Sequence, residues 1–442
     1  NDNWQECARQ LIELGYGEQR KQIGGNIKRD IFRKKESGAS DEDIAFFIKQ
    51  KHNLANVAEA MELVNHCTTQ WGDRICTFWE VSDKGGITIV RHKMLEFLSE
   101  NGGYFLYYYD QKSTIYKIIR VQDGFCEEAD TEHLKKFIKD YITGLPNSFD
   151  GITPNDLLEA VYKGANTFFS SSLLEFMPRI ELNLLKDTKE IAYYPFKNGV
   201  LKVTHDKKEL LTYGQLGVHV WRNRVIDFNI DIDEAIDWDG VEFYRFVQKI
   251  CGDDIDRQIY VVQIIGYILH GFKDQTRPFA VILAEETEKD KEGGGTGKGI
   301  FYKAISKMLD VVFIDGKNFK LDKSFAFQRV ELSTQLIVIE DCRKNVDFEG
   351  FYSHLTEGIT VEKKNKDELY IPYKDAAKFG FTTNYTISLK GNHGKRRGKV
   401  IEFSNFFNPK NTPLDFFGHQ MFEGWDKDEW NRFYNMMAEC VQ

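Results

Sequence analysis

The chain has 442 residues, a length that allows about two to four domains with substantial hydrophobic cores. Its composition, 42% hydrophobic and 29% charged, is typical of a soluble globular protein. The net charge of −9 argues against a broad basic face that wraps duplex DNA, although a narrow basic pore remains compatible with it.

The cysteine pattern excludes two further classes. Seven cysteines are scattered along the chain without a C-x-x-C pair, so neither a zinc site nor a disulfide framework is expected, and a reducing cytoplasm fits best. No run of about 18 or more apolar residues occurs, so no membrane segment is expected.

The first two segments precede the most informative motifs. Residues 1–74 are predicted to be helical, and Ser40 is a plausible N-cap before Ile44 and Phe47. Residues 75–149 alternate between strand and helix patterns and predict a small α+β module. Its strands are expected at residues 76–81, 87–90, 104–109 and 114–121. Their tyrosines favour core and cross-strand packing over stacking on bases.

Residues 150–275 predict a mixed, mostly helical domain. Asn198 and Gly199 indicate a tight hairpin turn between alternating strands, and residues 241–251 and 259–269 predict packed helices. Residues 276–405 predict an α/β core, and residues 406–442 predict a helical tail. That tail is either a lid or subunit-packing helix or, as the safer interpretation, part of a core.

The segment EGGGTGKG, residues 292–299, is the strongest functional signal. Small residues let the backbone form a nest of N–H groups for phosphate oxygens, while Lys298 reaches the β and γ phosphates. An apolar strand precedes the segment, and a helical pattern from Ile300 follows it. The predicted nucleotide-binding residues are Gly293, Gly294, Gly295, Thr296, Gly297, Lys298, Gly299 and Ile300.

Two positions depart from the usual pattern G-x-x-x-x-G-K-[ST]. Glu292 stands at the first glycine position, and Gly299 replaces the hydroxyl residue that normally binds magnesium. Metal binding must therefore depend on water and other residues. The charged residues from Glu285 to Lys291 are expected to form a surface excursion between the strand and the loop.

A second strand ends in acids. Residues 336–339, LIVI, precede Glu340 and Asp341, and both carboxylates would be costly if buried without partners. An ATPase needs such groups to hold Mg²⁺ and to orient the attacking water. Asp341 is the expected metal-shell ligand and Glu340 the expected base, although the two roles could be exchanged.

A third strand and a basic loop complete the candidate site. The strand at 377–381 leads to Asn384, whose amide could bond both the γ phosphate and the lytic water. The loop at 391–398 contains Arg396 and Arg397, either of which could present a guanidinium to the nucleotide of a neighbouring subunit.

Between the acidic strand and Asn384, an alternating pattern predicts a β-hairpin. Residues 365–367 are its turn, and the tip carries Lys363, Lys364 and Lys366. Lysine tips are also common on exposed hairpins for solubility alone.

The ordered set EGGGTGKG, LIVIED, VEKKNKDELYIPY, FTTN and the two arginines before VIEF resembles a superfamily 3 helicase, the AAA+ class of viral, phage and plasmid replication proteins. FKNGVLKV and IGYILHG resemble the region before the ATPase core of poxvirus-type primase-helicases and their phage relatives. The resemblance covers roughly residues 150–442 and is strongest from 278 to 403. It implies an AAA+ P-loop ATPase core with a parallel central sheet, preceded by helical and small α+β domains.

The resemblance also implies roles for single residues. Asn384 would be the sensor, Arg396 or Arg397 the arginine finger acting in trans, and the lysine hairpin a DNA grip with Lys364 at its contact point. The implied cofactors are ATP and Mg²⁺, and the implied partners are single-stranded DNA and further copies in a hexameric ring inside a host cell. A primase module on the same polypeptide is expected before this chain, which starts at Asn1.

The leading hypothesis is therefore an ATP-dependent, ring-forming DNA helicase that translocates on single-stranded DNA. An alternative is a nucleotide-dependent DNA-binding or origin-loading module without unwinding activity, which Gly299 and the altered loop favour. A monomeric P-loop kinase for a small metabolite is the third hypothesis, but it has no obvious use for the hairpin.

Overall fold

A computed structural model of the chain describes most of the sequence. The described residues are 27, 30–31, 34, 39–52, 54, 56–69, 77–109, 115–145, 152–286, 295–321, 325–343, 348–364, 368–385, 394 and 396–442. They fall into two compact units, one within Asn1–Tyr104 and Ala129–Pro178 and the other within Phe105–Glu128 and Arg179–Gln442. In the described parts of the chain, no helix combines the length and apolar character that crossing a bilayer requires.

The first unit is mainly helical. Its helices are α1 Asp41–Lys51, α2 Val57–Thr69, α3 Arg91–Glu100, α4 Thr131–Thr143, α5 Pro154–Lys163, α6 Ala165–Phe168 and α7 Ser171–Leu174, and β1 Trp79–Val81 pairs antiparallel with β2 Ile87–Ile89. The N–H of Asp43 donates to Ser40 Oγ at 3.2 Å, which confirms the predicted start of α1. Ile44 and Ile48 of α1 pack in one buried cluster with Ala60 and Val64 of α2.

Two smaller sheets precede the large one. The strands are β3 Tyr104–Tyr107, β4 Lys117–Gln122, β5 Phe125–Ala129, β6 Ile191–Phe196, β7 Gly199–Thr204, β8 Lys208–Leu211 and β9 Val220–Trp221, and α8 Tyr213–Leu216 follows β8. One sheet has the order β3-β4-β5-β9, and the other is the antiparallel set β6-β7-β8. The predicted hairpin is confirmed, since Phe196 pairs with Gly199 and the Asn198 side chain bonds both backbone groups of Ile230.

The second unit is built on a five-stranded parallel sheet. Its strands are β10 Ala280–Glu285, β11 Val311–Asp315, β12 Leu336–Cys342, β15 Lys378–Thr383 and β16 Gly398–Phe403, in the order β11-β12-β15-β10-β16. An antiparallel hairpin of β13 Gly358–Val361 and β14 Leu369–Pro372 lies between β12 and β15 in sequence. All six residues of β15 are buried, as expected for a central parallel strand covered on both faces.

Helices complete this unit. They are α9 Glu242–Ile250, α10 Ile255–Leu269, α11 Lys298–Ile305, α12 Tyr352–Thr356, α13 Pro413–Phe417 and α14 Lys427–Glu439. Phe433 and Met437 of α14 are fully buried in the cluster that contains the apolar faces of α9 and α10 and residues of β10. The C-terminal tail is therefore part of a core, which confirms the safer interpretation and excludes a detached lid.

The compact units do not follow the predicted domain boundaries at 74/75, 149/150, 275/276 and 405/406. Residues 105–128 belong with the second unit, because Phe125 and Cys126 of β5 pair with Val220 and Trp221 of β9. Residues 179–275 also belong there, since α9 and α10 share a core with the parallel sheet. The segment predicted to be mostly helical contributes all of β6 to β9. Long-range strand pairs of this kind leave no mark in local periodicity.

Candidate functional site

The predicted phosphate loop, acids and amide lie at one edge of the parallel sheet. Carboxyl ends of parallel strands meet at the same edge. Here Glu340 and Asp341 lie in the last residues of β12, while the Lys298 loop follows β10 and Asn384 follows β15. Strand β15 lies between β10 and β12, so two spacings separate the loop strand from the acidic strand, about 10 Å in all. Asn384 follows the intervening strand.

The loop before α11 requires glycine at two described positions. Gly295 has φ +84° and Gly297 has φ +92°, both in the left-handed region. A Cβ on Gly297 would lie 2.7 Å from the ring of Phe246 in α9. Gly299 has open space around it, so its lack of a hydroxyl is not imposed by packing. Gly293 and Gly294 lie outside the described residues.

Helix α11 is fixed to the sheet by packing and by one side-chain bond. Phe301 and Ile305 are fully buried beneath it. The Tyr302 hydroxyl donates to the Val281 carbonyl of β10 at 2.8 Å, and a Cβ on Gly380 of β15 would lie 2.5 Å from that hydroxyl oxygen. The start of the helix, where Lys298 stands, is thereby positioned against the two central strands.

Lys298 is held by an acid that the sequence analysis assigned to the surface. Its ammonium donates to Glu285 Oε1 at 2.6 Å and to Thr296 Oγ1 at 3.1 Å, and the residue is only 7% exposed. Glu285 is the last residue of β10 rather than part of a surface excursion, and its side chain is 14% exposed. The signal was available, because an acid at the end of an apolar strand is the pattern that identified Glu340.

Glu340 and Asp341 lie within β12 on a β-bulge, not after the strand as predicted. The register with β15 shifts between Ile339 and Cys342, and Asp341 has φ +53°. The Asp341 N–H donates to Thr382 Oγ1 at 2.8 Å, and the Thr383 hydroxyl donates to the Cys342 carbonyl at 2.9 Å. Bulges re-aim side chains next to active sites, and this one is held by two hydroxyls of the neighbouring strand.

The two acids differ in environment. The pKa of Glu340 is raised, first by burial and then by the charges of Asp341 and Asp315. The Asp341 side chain is about half exposed, and its carboxylate lies 3.5 Å from Lys317 Nζ. Among the described residues, no three His, Cys, Asp or Glu side chains converge on a point that could hold a metal ion. A pair of carboxylates still suffices for Mg²⁺, which usually takes its other ligands from water and phosphates.

The predicted arginines lie at the opposite edge of the sheet. Both precede Gly398, which pairs with Ala280, the first residue of β10. Strand β10 has six residues, so Arg396 and Arg397 are separated from the loop at its other end by roughly 17 Å. The Arg397 guanidinium lies 4.9 Å from the ring centre of Tyr352, whereas Arg396 is exposed. Neither arginine shares an edge with the phosphate loop of its own chain.

The predicted hairpin forms with the expected faces. Ile359, Val361, Leu369 and Ile371 are buried, and Thr360 and Tyr370 point outward. Lys363 Nζ lies 3.9 Å from Glu128 of β5, whereas Lys364 is exposed. Lys366 lies outside the described residues. Of the two described lysines, Lys364 is the more available for a ligand.

Comparison with known proteins adds one family match. Residues 292–397 match the model of a family described as "Family of unknown function (DUF5906)", and this span contains every predicted site residue. No curated protein matches the chain. Three solved structures of the C-terminal region of NrS-1, described as apo forms, are 12 to 14% identical, each with a TM-score of 0.39 over 79% of this chain and 67% of the other. The fold itself defines a mixed α/β protein with a five-stranded parallel sheet.

Proposed function

We propose that this chain is an ATPase that drives a ring-forming DNA helicase of the superfamily 3 AAA+ type. The observation that carries the proposal is the carboxyl edge of the parallel sheet. There a glycine loop with Lys298 stands two strands from Glu340 and Asp341. Nucleotide-binding α/β proteins place their ligands at this edge, outside the carboxyl ends of the strands.

The residues at this edge have separable tasks. Lys298 and the N–H groups of the loop bind phosphate oxygens at the start of α11, where the helix dipole also favours an anion. Asp341 would hold Mg²⁺ through the water shell of the ion, and the metal would offset charge on the phosphate oxygens. Glu340, with its raised pKa, accepts the proton of the attacking water. Asn384 orients that water from the strand between them.

Lys298 must leave Glu285 before it binds phosphate. The Lys298 ammonium is shared between Glu285 and Thr296, within a pair that is nearly buried. A triphosphate offers several anionic oxygens to Lys298 in exchange, while Glu285 keeps the Thr296 hydroxyl, 3.4 Å from its carboxylate, as a hydrogen-bond partner.

The position of Arg396 favours action between subunits. Arg396 is exposed and lies at the end of the sheet that the length of β10, roughly 17 Å, separates from its own phosphate loop, so its guanidinium is better placed to enter the site of a neighbouring copy. A closed ring is the arrangement that gives every copy such a neighbour. The hairpin would then present Lys364 of each copy to a DNA strand.

The direct test is ATP hydrolysis with and without single-stranded DNA. We expect turnover in the presence of Mg²⁺, stimulation by DNA, and loss of turnover in Lys298→Ala with an unchanged folded state by circular dichroism. Lys303→Ala serves as a matched control and should keep turnover, because it is the same change on α11 in a side chain that is about half exposed, whose ammonium lies 3.9 Å from Glu423. Normal turnover in Lys298→Ala would disprove the site assignment.

A second candidate is a nucleotide-dependent DNA-binding or loading module that does not unwind. Gly299 supplies no hydroxyl for the metal, so nucleotide binding with slow hydrolysis is also consistent with this site. A strand-displacement assay on a tailed duplex distinguishes the two, because unwinding that depends on ATP excludes the module.

A further inference from the structure

A cavity of about 610 Å³ lies at the edge of the parallel sheet opposite the phosphate loop. It is lined by Gln335, just before β12, and by Lys378, the first residue of β15. Strand β15 has six residues, so roughly 17 Å of strand separates this cavity from the carboxyl edge. Its volume falls within the range of small-ligand sites, about 300 to 1,000 Å³. The proposed ATP site does not use it.

Three cations in the wall are bonded to carbonyl oxygens rather than to carboxylates. Arg224 Nε donates to the Ser333 carbonyl at 2.8 Å, and Lys273 Nζ donates to the Ala376 carbonyl at 3.1 Å. Lys378 is only 6% exposed, and its ammonium donates to the carbonyls of Tyr267 and His270. A buried cation without a counter-ion is costly, so an anion in the cavity would relieve the buried Lys378 and could also contact the half-buried Arg224 and Lys273.

The carboxylates of the wall do not cancel this charge. Asp375 forms an ion pair with Lys186 at 2.5 Å and accepts a bond from the Tyr109 hydroxyl. Asp187 accepts the backbone N–H groups of Gly271 and Tyr193 at 2.6 and 3.0 Å. The Asp274 carboxylate accepts a hydrogen bond from the Thr276 hydroxyl. Among the described residues, no carboxylate forms an ion pair with Arg224, Lys273 or Lys378, although Asp187 and Asp375 act on them at longer range.

Tyr194 supplies an independent sign of a ligand. It lines the cavity, is 1% exposed, and its hydroxyl is buried without a hydrogen-bond partner among the described residues. A buried polar atom without a partner is unusual in a native fold and calls for an explanation. A polar group of a bound molecule would satisfy it.

Part of the remaining wall is aromatic, beside aliphatic side chains such as Leu184, Ile268 and Met308. Tyr107, Tyr109 and Trp221 line the cavity, and the first two rings lie 6.3 Å apart at right angles. Aromatic side chains stack on the planar bases of nucleotides, and cationic side chains bind phosphate oxygens. We propose that this cavity is a second nucleotide site, which binds a nucleoside monophosphate. Its phosphate lies at Arg224, Lys273 and Lys378, and its base lies against the aromatic wall.

The lowered pKa values of two lysines in the cavity make phosphate binding detectable as proton uptake. Burial, aided by the charge of Lys273, lowers the pKa of Lys378 to about 7. Burial also lowers the pKa of Lys273 to about 8, against the opposing effect of Asp375. The other titratable groups that face them are Asp187, Asp375, His270 and the rings of Tyr267 and Tyr373. Burial lowers the pKa of His270 to about 4 and raises that of Asp187 to about 6, so both are largely deprotonated at pH 8. At pH 8 a bound phosphate dianion favours the charged lysines, so binding takes up protons.

The test is calorimetric titration of the full chain with adenosine 5′-monophosphate at pH 8, in two buffers with different ionisation heats. We expect saturable binding with proton uptake, unchanged in Lys298→Ala and weakened about tenfold or more in Lys378→Met. Tyr194→Phe, which removes only the hydroxyl, should fold normally and bind several-fold more weakly. Lys197→Met, the same change at a surface ion pair with Asp227, should bind as the unaltered chain does.

Several outcomes would contradict the proposal or one part of it. Absence of binding, or binding that disappears in Lys298→Ala and persists in Lys378→Met, overturns the second site. Equal affinity for inorganic phosphate overturns the assignment of a base to the aromatic wall. A 5′-phosphorylated oligonucleotide in place of the monophosphate identifies the source: weaker binding than the monophosphate indicates a free nucleotide, and tighter binding indicates a strand end.

Discussion

The ammonium of Lys298 lies 2.6 Å from a carboxylate oxygen of Glu285, at the end of the strand that leads into the phosphate loop. The two side chains are 7% and 14% exposed, so the pair is shielded from the solvent screening that weakens surface ion pairs. Glu285 therefore competes with nucleotide for the residue on which phosphate binding depends.

Removing this competition should tighten nucleotide binding. Glu285→Gln keeps the shape of the side chain and neutralises its charge. Lys298 then gives up a bond to a neutral amide, rather than an ion pair, when phosphate binds. We expect the Kd for ATP to fall roughly five- to tenfold, about 1 kcal/mol, measured with a fluorescent nucleotide. Glu286→Gln is the control, because Glu286 pairs with Arg257 at 3.2 Å and leaves Lys298 untouched. Weaker binding in Glu285→Gln would show that this acid supports the loop rather than opposing the ligand.

The pH dependence of hydrolysis should report the environment of Glu340. Its pKa is raised by burial and by Asp341 and Asp315, and as a base it must be ionised. Activity is therefore lost on acidification at a higher pH than an ordinary glutamate would give. Asp315→Asn removes one like charge, lowers the pKa of Glu340, and moves the acid limb of kcat/KM to lower pH. Glu190→Gln, an exposed acid outside the site, should leave the profile unchanged. An unshifted limb in Asp315→Asn would exclude Glu340 as the titrating group.

Local sequence patterns were sufficient for the elements around the loop. Apolar runs predicted the strands before Lys298, Glu340 and Asn384. The glycine run predicted a loop of small residues that forms a backbone nest, and Gly295 and Gly297 in it have positive φ. The hairpin at 358–372 followed from turn residues and period-two alternation. Each of these features depends on neighbours in sequence.

The features that were missed depend on neighbours in space. The bulge at Asp341 needs Thr382 of β15, and Gly316 after β11 allows the close approach of the Glu340 carbonyl, to which it donates at 2.6 Å. Strand β11 itself was not predicted. The edge on which Arg396 lies follows only from the register of Gly398 against Ala280. Such pairings between distant segments are not encoded in any single window of the sequence.

The hairpin lysines should differ in their effect on DNA binding. Lys364 is exposed, whereas Lys363 lies 3.9 Å from Glu128 and is mostly covered. Lys364→Ala should weaken binding of single-stranded DNA and reduce the slope of log K against log salt by about 0.7, the contribution of one phosphate contact. Lys363→Ala is the matched comparison and should change the slope less. Equal affinity and slope for Lys364→Ala and the unaltered chain, across a salt series, would remove the hairpin from the DNA interface.

Hydrolysis should depend on Arg396 of a neighbouring copy. Because this residue lies at the sheet edge opposite its own phosphate loop, Arg396→Ala leaves its own Lys298 site intact but deprives the next copy of a guanidinium. Lys298→Ala inactivates its own phosphate site but still supplies Arg396 to the next copy. Each variant alone should lose nearly all ATP turnover, while a mixture of the two should regain part of it, because some interfaces then combine an intact Lys298 with an intact Arg396.

The control is a second mixture, of the Arg397→Ala variant with the Lys298→Ala variant. Arg397 stacks on Tyr352, and its Nε is buried without a hydrogen-bond partner among the described residues, so its loss should lower thermal stability rather than the turnover of a neighbour. Turnover is measured against the mixing ratio at constant total protein, beside a mass measurement with nucleotide and DNA present. Recovery that peaks at an intermediate ratio is expected for a shared site. If Arg396→Ala alone retains normal turnover as an assembled complex, or if mixing restores nothing, the arginine is not the shared group.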